Sequence, residues 1–134
     1  MNTPAPLMPF LLVAVGGALG ALARYGLGRW IGTFDGDYGT FPWATFTANV
    51  VGSLLMGLLA GYAVRNAAGE ATTLLLGVGL LGGFTTFSTF SLEAVVMLQR
   101  GQAGAAFVYV AGSVLGGFAA LYIGLTVMRG SAAG

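Results

Sequence analysis

Apolar residues run along the chain in four long blocks, over residues 9–31, 41–64, 71–98 and 103–128. Each block reaches the ~20 residues an α-helix needs to cross a hydrocarbon core about 30 Å thick. The connections are short and polar: TFDGDYGT at 33–40 with Asp35 and Asp37, a turn from Arg65 to Glu70, and a turn from Arg100 to Gln102, with Arg129 after the last block. The pattern predicts an all-α integral membrane protein, four transmembrane helices forming a single domain over residues 1–134. The opening MNTPAPLMPF has no positive n-region and no clear cleavage site, so the first block is expected to be a retained span.

The third block breaks the pattern. Residues 82–91, GGFTTFSTFS, hold two glycines, three phenylalanines and five hydroxyl side chains, a poor composition for continuous helix. Non-helical backbone is tolerated in a bilayer only where protein buries it or a polar cavity meets it. The third helix is therefore expected to be broken at mid-membrane, beside an ion site. Unwound carbonyls coordinate Na⁺ in membrane proteins, and Gly82, Gly83, Thr85 and Thr86 are the candidates.

The uncharged second and fourth blocks carry polar residues at helical spacing. Thr45, Asn49 and Ser53 fall at i, i+4 and i+8 and share one helix face. Facing lipid would be costly, so the face serves either interhelical hydrogen bonding or a small anion, for which the Asn49 amide offers two N–H donors. Tyr109 and Ser113, with Gly117 at i+8, repeat the spacing, and the phenol and hydroxyl are anion or water donors or structural hydrogen bonds. Phe84, Phe87 and Phe90 recur every three residues, on one side of a helix. They are packing or lipid contacts, or ring edges whose positive rim meets an anion. Conduction needs such weak sites. Three charges lie within blocks, Arg24 and Arg29 near the end of the first and Glu93 in the third; intramembrane charges are functional candidates, here Arg24 and Glu93. Arg24 is near enough to a span end to snorkel; Glu93 is a proton-coupling site or a structural partner.

Composition narrows the classes. The chain is 57% hydrophobic and 7% charged, with mean hydropathy +0.88, against about 25% charged residues in soluble domains. No length is left for a soluble catalytic domain, and no enzyme is expected. A net charge of +1 without a basic run argues against nucleic acid. The absence of Lys, His and Cys removes disulfides, thiolate metal sites and imidazole chemistry. With four spans, Arg65 and Arg129 fall on one side and Arg29 and Arg100, with Arg24, on the other, a weak orientation bias. Either the protein simply has few charges, or it inserts both ways and pairs as an antiparallel, two-fold dimer. Gly16/Gly20, Gly28/Gly32, Gly57/Gly61, Gly79/Gly83 and Gly112/Gly116 predict close helix packing.

GGFTTFSTFS, GGALGALARY at 16–25 and TFTANVVGS at 45–53 together resemble the Fluc family, also called CrcB, of bacterial fluoride channels, in order and along essentially the whole chain. The resemblance implies an antiparallel dual-topology homodimer in the bacterial plasma (inner) membrane, with two narrow fluoride pores. It implies a structural, untransported Na⁺ at the dimer centre, held by the backbone carbonyls of Gly82 and Thr85 from both subunits. Phe87 and Phe90 match the paired pore phenylalanines, Asn49 the pore asparagine, and Tyr109 and Ser113 the polar track of the last span. Thr45, Ser88 and Thr89 match further track members, and Arg24 and Glu93 match recurrent positions. Some members carry a hydroxyl one turn beyond Ser113, where this chain has Gly117. The implied function is a passive, fluoride-selective channel. Hydrogen fluoride enters as a neutral acid and dissociates, and the anion leaves down the membrane potential, which lowers toxicity. The partners implied are fluoride, a second copy of the chain and the bilayer. Two other readings fit less of the sequence. A proton-coupled exporter resembling small multidrug transporters needs an embedded carboxylate in the first span, whereas Glu93 lies in the third. A non-transporting structural subunit explains the glycines but not the third block.

Overall fold

The computed structural model describes residues 6–35 and 41–130; the loop residues 36–40, Asp37 among them, and the two ends of the chain lie outside the described residues. Among the described residues all regular structure is helical. The helices are α1 (Leu7–Asp35), α2 (Trp43–Asn66), α3 (residues 70–84), α4 (Ser88–Gln99) and α5 (Ala103–Gly130). Among the described residues four stretches are long and apolar enough to cross a membrane: Leu7–Gly32, Trp43–Asn66, Glu70–Gln99, which contains α3 and α4, and Ala103–Gly130.

The turns explain where the helices stop. After α4, Gly101 takes φ +75°, and two bonds close the end, Gly101 N–H to Leu98 O at 3.0 Å and Gln102 N–H to Met97 O at 2.9 Å. That pair is a Schellman cap, which needs a left-handed residue and favours glycine. α2 ends in a similar way on Ala67 at φ 48°, with Ala68 N–H donating to Ala63 O at 3.2 Å.

Packing is inverted relative to a protein in water. Large apolar side chains such as Phe10, Leu22, Phe107 and Leu115 point outward, while the interior holds Ala48, Thr45, Ala106, Ser113 and the ring of Tyr109. Small buried residues let helix axes come close, the main route to helix association in lipid. α1 lies on α3 with backbone against backbone. A Cβ at Gly16 would strike Leu75 O, one at Gly20 would strike Leu80 O, and one at Gly79 would sit 2.9 Å from Gly16 Cα. The middle of α3, Thr73–Leu81, is wound as a π-helix, a rare form usually confined to a single turn. α2 and α5 form the most extensive helix pair. The buried positions of α5, Ala106, Tyr109, Ser113, Gly117, Ala120 and Gly124, follow one stripe at spacings of three and four. Gly28 and Gly32 meet nothing within 4 Å, so that predicted small-residue face carries no packing in the protomer.

Candidate functional site

The site is built where α3 gives way to α4. The helix stops at Phe84, and Thr85 turns to an extended conformation, φ −81° and ψ 157°. Thr85 still donates to Leu81 O through both its N–H and its hydroxyl, each at 3.0 Å. The next donor changes partner. In a continuous helix Thr86 N–H would bond Gly82 O; here it bonds Asn49 Oδ1 on α2 at 2.8 Å, and Asn49 Nδ2 donates back to Thr86 O at 3.0 Å. One asparagine thus holds both main-chain groups of one residue, as a neighbouring strand would. Three residues on, Thr89 N–H donates to Thr86 Oγ1 at 3.2 Å, so the first turn of α4 is tied to Thr86, just before the N-cap residue Phe87. Gly82 O and Thr85 O are thereby left without their helical donors. From α1, Arg24 Nε donates to Gly83 O at 3.3 Å.

The phenylalanine triplet does not share one helix. Phe84 ends α3, Phe90 lies on α4, and Phe87 stands between them, 80% exposed. The Phe87 and Phe90 rings are 5.9 Å apart and inclined at 45°.

A groove of about 460 Å³ opens beside the break, lined by Asn49, Ser53, Phe87, Phe90 and Ser113 together with Thr85 and Thr86. Ser113 Oγ is buried and has no hydrogen-bond partner. An unmet buried hydroxyl costs about 1–3 kcal/mol, so its place in the groove wall suits a ligand that accepts a hydrogen bond. Ser53, one turn beyond Asn49, reaches the room that Gly117 leaves open. A Cβ on Gly117 would stand 3.4 Å from Ser53 Oγ. Met56, Val114 and Phe118 complete the wall. Nothing in the sequence marks them, because apolar residues at helical spacing read equally as lipid contacts.

Thr45, Tyr109 and Glu93 come together on the far side of Phe90. Thr45 Oγ1 donates to Glu93 Oε1 at 2.9 Å and Tyr109 OH donates to Glu93 Oε2 at 2.7 Å. Both carboxylate oxygens therefore go to hydroxyls rather than to an arginine. A hydroxyl has one proton, so in this arrangement neither Thr45 nor Tyr109 has one left for an anion. Tyr109 is held further by ring contacts, 5.2 Å to Phe90 and 5.4 Å edge-on to Phe41. Glu93 and Thr45 also face a second cavity, about 300 Å³, bordered by Arg24, Tyr25 and Arg29 of α1. Ser88 is exposed and Thr89 half-buried on the first turn of α4, and neither lines the groove.

Among the described residues no three His, Cys, Asp or Glu side chains gather to hold a metal ion. The donors suited to a hard cation here are main-chain carbonyl oxygens; Gly82 O and Thr85 O are among those released at the break, where Gly83 O and Thr86 O are met by Arg24 Nε and Asn49 Nδ2 instead.

Four apolar helical stretches around a small-residue, polar interior define a multi-pass membrane protein. The chain belongs to the CrcB family: the family described as CrcB-like protein, Camphor Resistance (CrcB), matches residues 11–125. It is 54% identical over 120 residues to a Novosphingobium aromaticivorans protein named Fluoride-specific ion channel FluC, covering 90% of this chain and 95% of that one. A protein of the same name from Erythrobacter litoralis is 49% identical over 133 residues, covering 96% and 98% of the two chains. Another, from Thermus thermophilus, is 46% identical over 116 residues, covering 86% and 89%. The family resemblance carried by the three motifs holds across the chain.

Proposed function

We propose that this chain is a passive, fluoride-selective channel of the bacterial plasma membrane, which exports fluoride from the cytoplasm and lowers its toxicity. The observation that carries the reading is the unpartnered Ser113 hydroxyl in a groove shared with Asn49, Phe87 and Phe90. Fluoride is small and strongly hydrated, so a narrow path must replace its water with donors. Ser113 supplies a free hydroxyl proton. The Asn49 amide has two N–H groups, one of them engaged with Thr86 O and the other free to donate. The edges of Phe87 and Phe90 add weak positive potential. No cation lines this groove, and the absence of a strong trap suits an ion that must leave as readily as it enters. The names of the relatives support fluoride as the ion.

The working unit is an antiparallel, dual-topology homodimer with a structural Na⁺ at its centre, and its third helix is broken at mid-membrane. One protomer offers Gly82 O and Thr85 O, too few oxygens to hold a hard cation; a second copy brings the set to four, which is why the site needs it. Bound there, Na⁺ would supply positive charge that holds the two breaks together, and it is not transported. The exposed Phe87 ring, 80% open in the protomer, is covered by the partner. The near balance of arginines between the two sides supports insertion both ways up.

The test is passive efflux from liposomes carrying the purified protein, with fluoride and chloride followed side by side by ion electrodes. Fast fluoride efflux that needs only a potassium ionophore, with chloride retained, is the expected result. No flux of either anion from a folded, Na⁺-loaded dimer would overturn the channel reading. Asn49→Asp, which places a negative charge in the groove, and Phe87→Ile are each expected to slow fluoride.

A further inference from the structure

Asn49 is read above as an anion donor, yet its closest engagements are with protein. Its amide closes a two-bond ring on the main chain of Thr86, at 2.8 and 3.0 Å. Thr86 N–H is the group that would otherwise cap Gly82 O and continue the helix. The Thr86 side chain does the complementary job at the other carbonyl. Its Oγ1 accepts from Thr89 N–H at 3.2 Å, the donor that would otherwise serve Thr85 O. Gly82 O and Thr85 O are thus two carbonyls at the break whose helical donors have been diverted, one by Asn49 and one by Thr86.

We infer that Asn49 is a positioning residue for the cation site, holding the backbone of α3 open so that Gly82 O and Thr85 O face outward as ligands. This rests on the proposed Na⁺-bound dimer. It gives one side chain two roles on opposite sides of the same break: a spare N–H in the anion groove, and a clamp that makes the cation site. Cation binding and the shape of the anion groove are then coupled through one residue, because any movement of Thr86 moves Asn49.

The coupling is read by assembly rather than by flux. Purified wild-type protein, Asn49→Ala and Ser113→Ala are titrated with Na⁺ against an impermeant organic cation in detergent, and the dimer fraction is followed. Ser113→Ala alters the same groove without touching the break. The wild type is expected to assemble with a clear Na⁺ midpoint, and Ser113→Ala at the same midpoint. Asn49→Ala, which loses both bonds to Thr86, is expected to need about tenfold more Na⁺ or beyond. An Asn49→Ala midpoint equal to that of the wild type would overturn the inference while leaving the channel intact. Wild-type assembly that ignores Na⁺ would instead remove the cation site itself, and the inference with it. Should Asn49→Ala fail to fold, Asn49→Ser takes its place. Its short hydroxyl cannot make both bonds, so an unshifted midpoint there overturns the inference equally.

Discussion

The α2–α5 pair carries glycines at both ends, and they do opposite things. At one end the backbones touch. A Cβ on Gly57 would strike Leu121 O, one on Gly124 would strike Leu54 O, and one on Gly61 would lie 2.6 Å from the Met128 Cβ. At the other end the same residue type meets side chains at ordinary contact. A Cβ on Gly112 would stand 3.6 Å from the Phe46 ring, on Gly116 3.5 Å from a Val50 methyl, and on Gly117 3.4 Å from Ser53 Oγ. The first end is a seam that fixes the axes. The second is spaced by side chains, and the room between them holds Ser113, Ser53 and the groove, with the Glu93 cluster a turn away. Small residues in a membrane helix therefore carry two meanings, close packing and making room, and the partner atom decides which.

The difference can be broken most sharply at the seam. Gly57→Val must push two backbones apart, and overpacking at such a contact costs roughly 3 kcal/mol. The expected outcome is loss of a monodisperse folded species on size exclusion in detergent. Less severe is Tyr109→Phe, which keeps the ring contacts and removes the hydrogen bond to Glu93. A hydrogen bond of this kind is worth roughly 1 kcal/mol, and leaving its buried partner unmet adds to the cost, so the thermal midpoint should fall by several degrees while the protein still folds. Ser113→Ala sharpens the comparison from the functional side. It deletes a buried hydroxyl that has no protein partner, so stability should hold within about 1 kcal/mol, while fluoride efflux drops by about tenfold or more. Equal losses of stability and flux would make Ser113 structural. The smallest effect belongs to Gly116→Ala. Its methyl would stand 3.5 Å from a Val50 methyl, an ordinary contact, and helix propensity rises, so a change of no more than about 1 kcal/mol in unfolding stability is expected.

Much of the site was legible one residue at a time and little of it pairwise. The i, i+4 spacing put Asn49 and Ser113 on polar faces of α2 and α5, and both line the groove. The same spacing grouped Thr45 with Asn49 and Tyr109 with Ser113, whereas the fold draws Thr45 and Tyr109 out of those rows to one carboxylate. Spacing along a helix says which side chains share a face, not how the face is rotated toward its neighbours. Ser53 belonged to the polar row of α2, but its place beside Gly117 depends on the register of two helices.

What the sequence by itself determined is the class and the family: four apolar blocks long enough to cross a bilayer, and motifs in a fixed order that place the chain among CrcB proteins. Hydrophobic length and local composition are properties of contiguous residues, so they survive without coordinates. Only the tertiary structure decided the partners of the polar groups. The reason is clearest at Asn49, whose amide bonds the N–H and C=O of Thr86. Every non-proline residue carries those two groups, so no letter of the sequence distinguishes the one that will be held. That choice is made by the approach of α2 to the end of α3, and it takes the donor that would have served Gly82 O in a continuous helix.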